Sequence, residues 1–150
     1  MTAIIHLSLA AEEPERVARV LAELMDGTVS EFSPTEGGFY VGTDSATAAA
    51  IEVYPLGTEL VPGDGAAQAR FRKGAKAGPG PVHVALAVPV SRADIARIGE
   101  REGWRTLPCR RGGSFDVVEF WLENRTMLEL VPRGEASKTI AVLRMPKRRA

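Results

Sequence analysis

A chain of 150 residues has one domain's length: it can bury a real core but not two large independent ones. Its 45% apolar and 25% charged residues match an ordinary soluble globular protein, and no apolar run approaches membrane-spanning length. Lys plus Arg and Asp plus Glu are equal at 19 each, so no overall field favours nucleic acid or an anionic membrane as partner.

The predicted elements begin with "AIIHLSLA", which alternates as a strand does. Ile5, Leu7 and Leu9 lie on one face; Ile4, His6 and Ser8 lie on the other. This N-terminus carries no charged region, apolar run or cleavage site of a signal peptide. Cys109 is the only cysteine, so no intramolecular disulfide is available. A cytoplasmic location is the expectation from both features. Pro14 then opens "PERVARVLAELM", where Val17, Val20, Leu21 and Leu24 form one stripe of an amphipathic helix that Gly27 should end. Three short strands are predicted next, in "GTVSEFS", "GGFYVGT" and "AAAIEVYP".

Residues 57–81 are rich in Gly, Pro, Ala and basic side chains and show no periodicity, so a linker is predicted over 59–80. Arg70, Arg72, Lys73 and Lys76 there either close over an anionic substrate or are simply solvated. The pattern then restarts. "PVHVALAV" alternates again. Ser91 and Asp94 form a capping-box match, Val90 and Ile95 a staple, and the helix "RADIARIGEREG" should stop near Gly103. "WRTLPCR", "SFDVVEFWL" and "TMLELVP" supply three more strands, with a tight turn at Glu123, Asn124 and Arg125. Phe120 and Trp121 alternate, so only one of them faces a cleft. Cys109 precedes Arg110 and Arg111 but has no paired base in view. The chain closes on a basic tail, residues 136–150.

Strand, helix and three strands therefore occur twice, and the offset is measurable. His6 and His83, Glu52 and Glu129, Pro55 and Pro132, and Gly57 and Gly134 are each 77 residues apart. The predicted architecture is α+β: two tandem βαβββ modules, about 3–58 and 81–135, in a single domain whose curved mixed sheet surrounds a cleft. The two histidines are the only ones in the chain, and each precedes its glutamate by 46 residues. Each pair falls on the strand face opposite the large apolar residues. If the halves pair about a pseudo-twofold axis, two imidazoles and two carboxylates converge. Such a set suits one divalent ion: zinc, nickel, iron, manganese or cobalt. An ion would also keep an apolar-strand carboxylate charged and satisfied.

The duplicated unit, with "IIHLSLA", "AIEVYPLG", "PVHVALAV" and "MLELVPRG" in this order and spacing, resembles the vicinal oxygen chelate superfamily over about residues 3–134. That group includes glyoxalase I, fosfomycin-resistance thiol transferases, methylmalonyl-CoA epimerase, extradiol dioxygenases and bleomycin-resistance proteins. The resemblance implies His6, Glu52, His83 and Glu129 as metal ligands in the order seen in glyoxalase I. It also implies Glu129, with Glu52, as general base for proton abstraction next to a carbonyl. A metal-stabilised enediolate, a small-molecule substrate and a homodimer are implied with it. Tyr54, on Glu52's face, and Trp121 are candidates to line the substrate site. Two other readings stay open: a metal-free drug-binding protein of the bleomycin-resistance type, and a metal-dependent dioxygenase, against which the additional Glu52 speaks.

Overall fold

The computed structural model describes residues 6–44, 49–61, 70–75, 83–111 and 115–136. Ile4, Ile5, Val82, Lys76 and the tail beyond residue 136 lie outside them. The chain divides into two compact units, residues 1–80 and 81–150.

In the first unit, β1 (His6–Ala11) leads into α1 (Pro14–Met25), followed by β2 (Thr28–Glu31), β3 (Phe39–Gly42) and β4 (Ala50–Pro55). The sheet order is β1-β4-β3-β2, with β1 and β4 parallel and the other pairs antiparallel. The stripe read from the sequence is the buried face of α1, with Val17, Val20, Leu21 and Leu24 packed over Val41, Ile51 and Val53. The helix ends one residue earlier than expected: Asp26, not Gly27, holds the left-handed cap at φ 52°. Gly27 serves a different need, because a Cβ there would sit 2.4 Å from the Gly42 carbonyl oxygen. The glycine permits close approach of the helix exit to β3.

A further difference lies in the predicted linker. Residues 58–73 contain β5 (Thr58–Val61) and β6 (Arg70–Lys73), an antiparallel pair with Glu59 opposite Arg72. Four-residue strands are too short to show a period in a Gly- and Pro-rich stretch. Their pairing comes from backbone hydrogen bonds, and Gly57, at φ +91°, makes the turn that leads from β4 into β5.

The second unit repeats the plan: β7 (Val84–Ala87), α2 (Arg92–Glu102), β8 (Thr106–Arg111), β9 (Phe115–Leu122) and β10 (Thr126–Val131) in sheet order β7-β10-β9-β8. The capping box forms as read: Ser91 Oγ accepts from the Asp94 amide, and Asp94 accepts from the Ser91 amide at 3.1 Å. Gly103 supplies the left-handed cap. Glu123 and Asn124 both take positive φ in the predicted tight turn, whose three residues, 123–125, lie between the paired Leu122 and Thr126. Gly99 lets α2 settle onto β8, where any Cβ would fall 1.9 Å from Thr106 Oγ1. Phe120, fully buried and edge-on to Trp104 at 5.9 Å, fills the same helix-covered face. Among the described residues no helix is long and apolar enough to cross a membrane.

Candidate functional site

Strand register decides which side chains share the face turned away from each helix. In the first unit Ser8, Glu52 and Tyr40 stand side by side on β1, β4 and β3, with His6 and Tyr54 two residues away on the same face. Glu52 is 9% exposed and the one charged residue among the buried set of the described residues. Its environment accounts for its burial. Oε2 accepts hydrogen bonds from Ser8 Oγ at 2.9 Å and from the Tyr54 hydroxyl, while His6 Nε2 lies 3.8 Å away. Charge-assisted bonds from two hydroxyls offset much of the cost of burying a carboxylate. Burial first, and then donation to Glu52, pushes the Tyr54 phenol above its ordinary value. The Tyr54 ring is itself fixed between Phe32 at 5.8 Å and Phe71 at 5.2 Å.

In the second unit Ala85, Glu129, Glu119 and Leu107 form the corresponding row. Glu129 is half-buried; His83 is exposed and stands one residue ahead of β7, whereas His6 lies within β1. Ala85 occupies the place of Ser8, and Val131 that of Tyr54, so neither position offers Glu129 a hydroxyl. Glu119 takes the place of Tyr40 and faces Glu129 directly across the antiparallel pair. It accepts from Trp121 Nε1 at 3.3 Å and contacts the Cys109 thiol at 3.8 Å.

The structure thus puts His6 beside Glu52 and makes Tyr54 a partner of that carboxylate. It turns Trp121, not Phe120, to the helix-free face. Glu119 is a residue that sequence reasoning missed. Its signal was the alternation of "DVVEFWL", which places Glu119 with Trp121 and opposite Phe120, but no 77-residue counterpart drew attention to it.

Two donors bound at about 2.1 Å to one ion stand roughly 3 to 3.5 Å apart at ordinary coordination angles. The 3.8 Å between His6 Nε2 and Glu52 Oε2 is near that span, and Oε1 of Glu52 accepts no hydrogen bond among the described residues. Among the described residues no three His, Cys, Asp or Glu side chains gather as a metal site, so a half by itself offers a pair of ligands. The His6–Glu52 pair offers one imidazole and one carboxylate to such an ion.

No family model and no curated protein matches the sequence. Solved structures do. The fosfomycin resistance protein FosX from Mesorhizobium loti superposes with a TM-score of 0.56 at 14% identity, over 93% of this chain and 98% of that one. FosX from Listeria monocytogenes, complexed with Mn(II) and sulfate, gives 0.57 at 10% identity, over 95% and 98%. The chain has the vicinal oxygen chelate fold. A glyoxylase/bleomycin resistance protein/dioxygenase domain from Frankia shares that fold at 0.53 and 14% identity, over 87% of this chain and 96% of its own. The duplicated βαβββ unit read from the sequence is the repeating module of this fold.

Proposed function

We propose that the protein is a metal-dependent enzyme acting on a small oxygen-bearing molecule, with His6 and Glu52 from one half and His83 and Glu129 from the other as ligands. The carrying observation is the His6–Glu52 pair, set 3.8 Å apart on the helix-free face of its sheet. The repetition of both residue types at a 77-residue offset supports it. A Mn(II)-bound structure of the same fold supports the choice of a divalent ion. When bound, the ion supplies Lewis-acid stabilisation for an oxyanion developing on the substrate.

The chain's own residues divide the remaining work. Glu52 is pinned through Oε2 by Ser8 and Tyr54, which suits a fixed ligand and resists the swing a proton-transferring group needs. Glu129 is the general base of this reading, for a proton next to a carbonyl, as its place in the duplicated unit implies. Trp121 presents its ring on the same face as Glu119 and Glu129, with its indole N–H held by Glu119, and lines the substrate site. Lyase or isomerase chemistry of the glyoxalase type is the reaction class that uses these parts. The two ligand pairs come from one chain or from two copies in a homodimer.

One observation favours a second reading. Glu52 already accepts hydrogen bonds from two hydroxyls, so this half needs no ion to satisfy its buried carboxyl group, as a metal-free small-molecule binder would require. Elemental analysis of native protein separates the two. Stoichiometric divalent metal that is lost in both His6→Ala and His83→Ala supports the enzyme. Metal-free protein that stays metal-free after incubation with Zn(II), Mn(II), Ni(II), Co(II) or Fe(II) overturns it. A screen against hemithioacetals, acyl-CoA epimers and catechols then identifies the reaction.

A further inference from the structure

The two hydroxyl donors of Glu52 are held in different ways. Ser8 is placed by strand register: it is the direct partner of Glu52 in the parallel β1–β4 pair, and its short side chain reaches Oε2 at 2.9 Å. Tyr54 stands two residues beyond Glu52 on the same strand, so no backbone pairing sets where its hydroxyl falls. The phenol has to lean back along β4 to donate to Oε2. Its oxygen lies on the long axis of the ring, so rotation about Cα–Cβ is the motion that carries it away from Glu52.

Two rings oppose that rotation. Phe32, after β2, has its centroid 5.8 Å from that of Tyr54, and Phe71, on β6, lies edge-on at 5.2 Å. Both are favourable separations for an aromatic pair. Phe71 is the half-buried residue of β6, while Arg70, Arg72 and Lys73 are exposed. The hairpin that carries it is tied by its β5–β6 pairing, by Arg72 Nε donating to Glu59 Oε2 at 2.7 Å, and by the Gly74 amide donating to the Gly57 carbonyl at 2.6 Å. A chain of contacts thus runs from the hairpin through Phe71 and the Tyr54 ring to Oε2 of Glu52.

We propose that Phe71 is a positioning residue of the metal site: by bracing Tyr54 it holds the Glu52 carboxylate in the orientation that receives the ion. The inference rests on the reading of His6 and Glu52 as ligands, and it gives the β5–β6 hairpin, which follows the first βαβββ module, a part in that site. A ligating carboxylate held by hydrogen bonds is already turned before the ion arrives, whereas a rotating one has to be ordered on binding. Ser8 alone does not stop rotation, because a single bond to Oε2 leaves the carboxylate a pivot; the second bond, from Tyr54, removes it.

Titration of the full chain with Co(II), followed by visible absorption, tests it through a double-mutant cycle. Tyr54→Phe should weaken Co(II) binding about tenfold, the usual effect of removing a hydrogen-bond partner from a ligating group. Phe71→Ala should weaken it about fivefold, and Phe71→Tyr, which keeps the ring, should bind as the parent does. In the Tyr54→Phe background no hydroxyl is left to place, so adding Phe71→Ala should change the affinity no further. A merely structural role for the hairpin would weaken both backgrounds alike. The inference is overturned if Phe71→Ala binds Co(II) as tightly as the parent, or if it weakens binding equally with and without the Tyr54 hydroxyl. A parent that takes up no Co(II) overturns the ligand reading and this inference together. A parent that binds Co(II) and loses it in His6→Ala keeps the ligand reading, whatever Phe71 does.

Discussion

Glu52 and Glu129 are the same position of one duplicated unit, yet their surroundings have diverged. Glu52 is buried and held by Ser8 and Tyr54, while Glu129 is half-buried beside Ala85 and Val131 and faces a second carboxylate, Glu119. Ala85 and Val131 stand where Ser8 and Tyr54 stand in the first copy, so the two hydroxyl donors of Glu52 have no counterpart there. Duplication preserved the fold because the helix-covered faces kept their apolar residues. Val41 and Phe120 are equivalent in register, as are Ile51 and Leu128, and all four are fully buried. The helix-free faces were at liberty to change, and there the halves acquired different chemistry.

The sharpest way to break this comparison is to delete each carboxylate. Glu52→Ala strands two hydroxyls without their acceptor and should cost about 2 kcal/mol of stability. Glu129→Ala should cost less than about 1 kcal/mol, because it also relieves like charges set opposite each other. Chemical denaturation of the two variants measures the gap, and equal losses would show that the hydroxyl clamp does not distinguish the halves.

Tyr54→Phe is the next test, expected to cost about 1 kcal/mol at neutral pH. Because the Tyr54 phenol is raised on folding, its contribution is complete below the ordinary tyrosine value of about 10 and is lost as pH rises through the folded value. Ultraviolet titration of the protein's two tyrosines should therefore show a late-ionising phase that Tyr54→Phe removes. The variant should also lose less stability than the parent above pH 10. Loss in Tyr54→Phe of a phase at the ordinary tyrosine value, and not of a late one, would count against the bond to Glu52.

The smallest effect concerns the helices, where the comparison runs the other way: α2 has a side-chain cap and α1 has none. Hydrogen bonds from the Ser91 hydroxyl and amide hold Asp94 below its ordinary value. Its contribution is present above about pH 4 and fades as pH falls through the lower folded value. Asp94→Asn should leave the midpoint of thermal unfolding less dependent on pH below 4, a small shift because the carboxylate is exposed. A parent and variant with the same acid dependence would remove the capping box from the account.

Much of the fold was legible because periodicity reports burial directly. The stripe of α1, the cap of α2, the turn at Glu123 and Asn124, and the alternation of β9 each follow from local chemistry. The β5–β6 hairpin did not, because its strands are short and its order comes from pairing. The His6–Glu52 half of the candidate site was legible through spacing alone, since a 77-residue repeat marks equivalent positions whatever lies between. Glu119 and Ser8 were not, because neither has a like residue in the other half.

By itself the sequence determined the duplicated βαβββ plan, the face of the first sheet on which His6 and Glu52 stand, and the identity of the repeated pair. Only the tertiary structure decided what surrounds those carboxylates. Register across β1, β4 and β3 put Ser8 and Tyr40 on either side of Glu52, and register across β9 and β10 put Glu119 opposite Glu129. The reason is physical: periodicity along a chain says which way a side chain points, but its neighbours belong to other strands. Strand pairing alone chooses them.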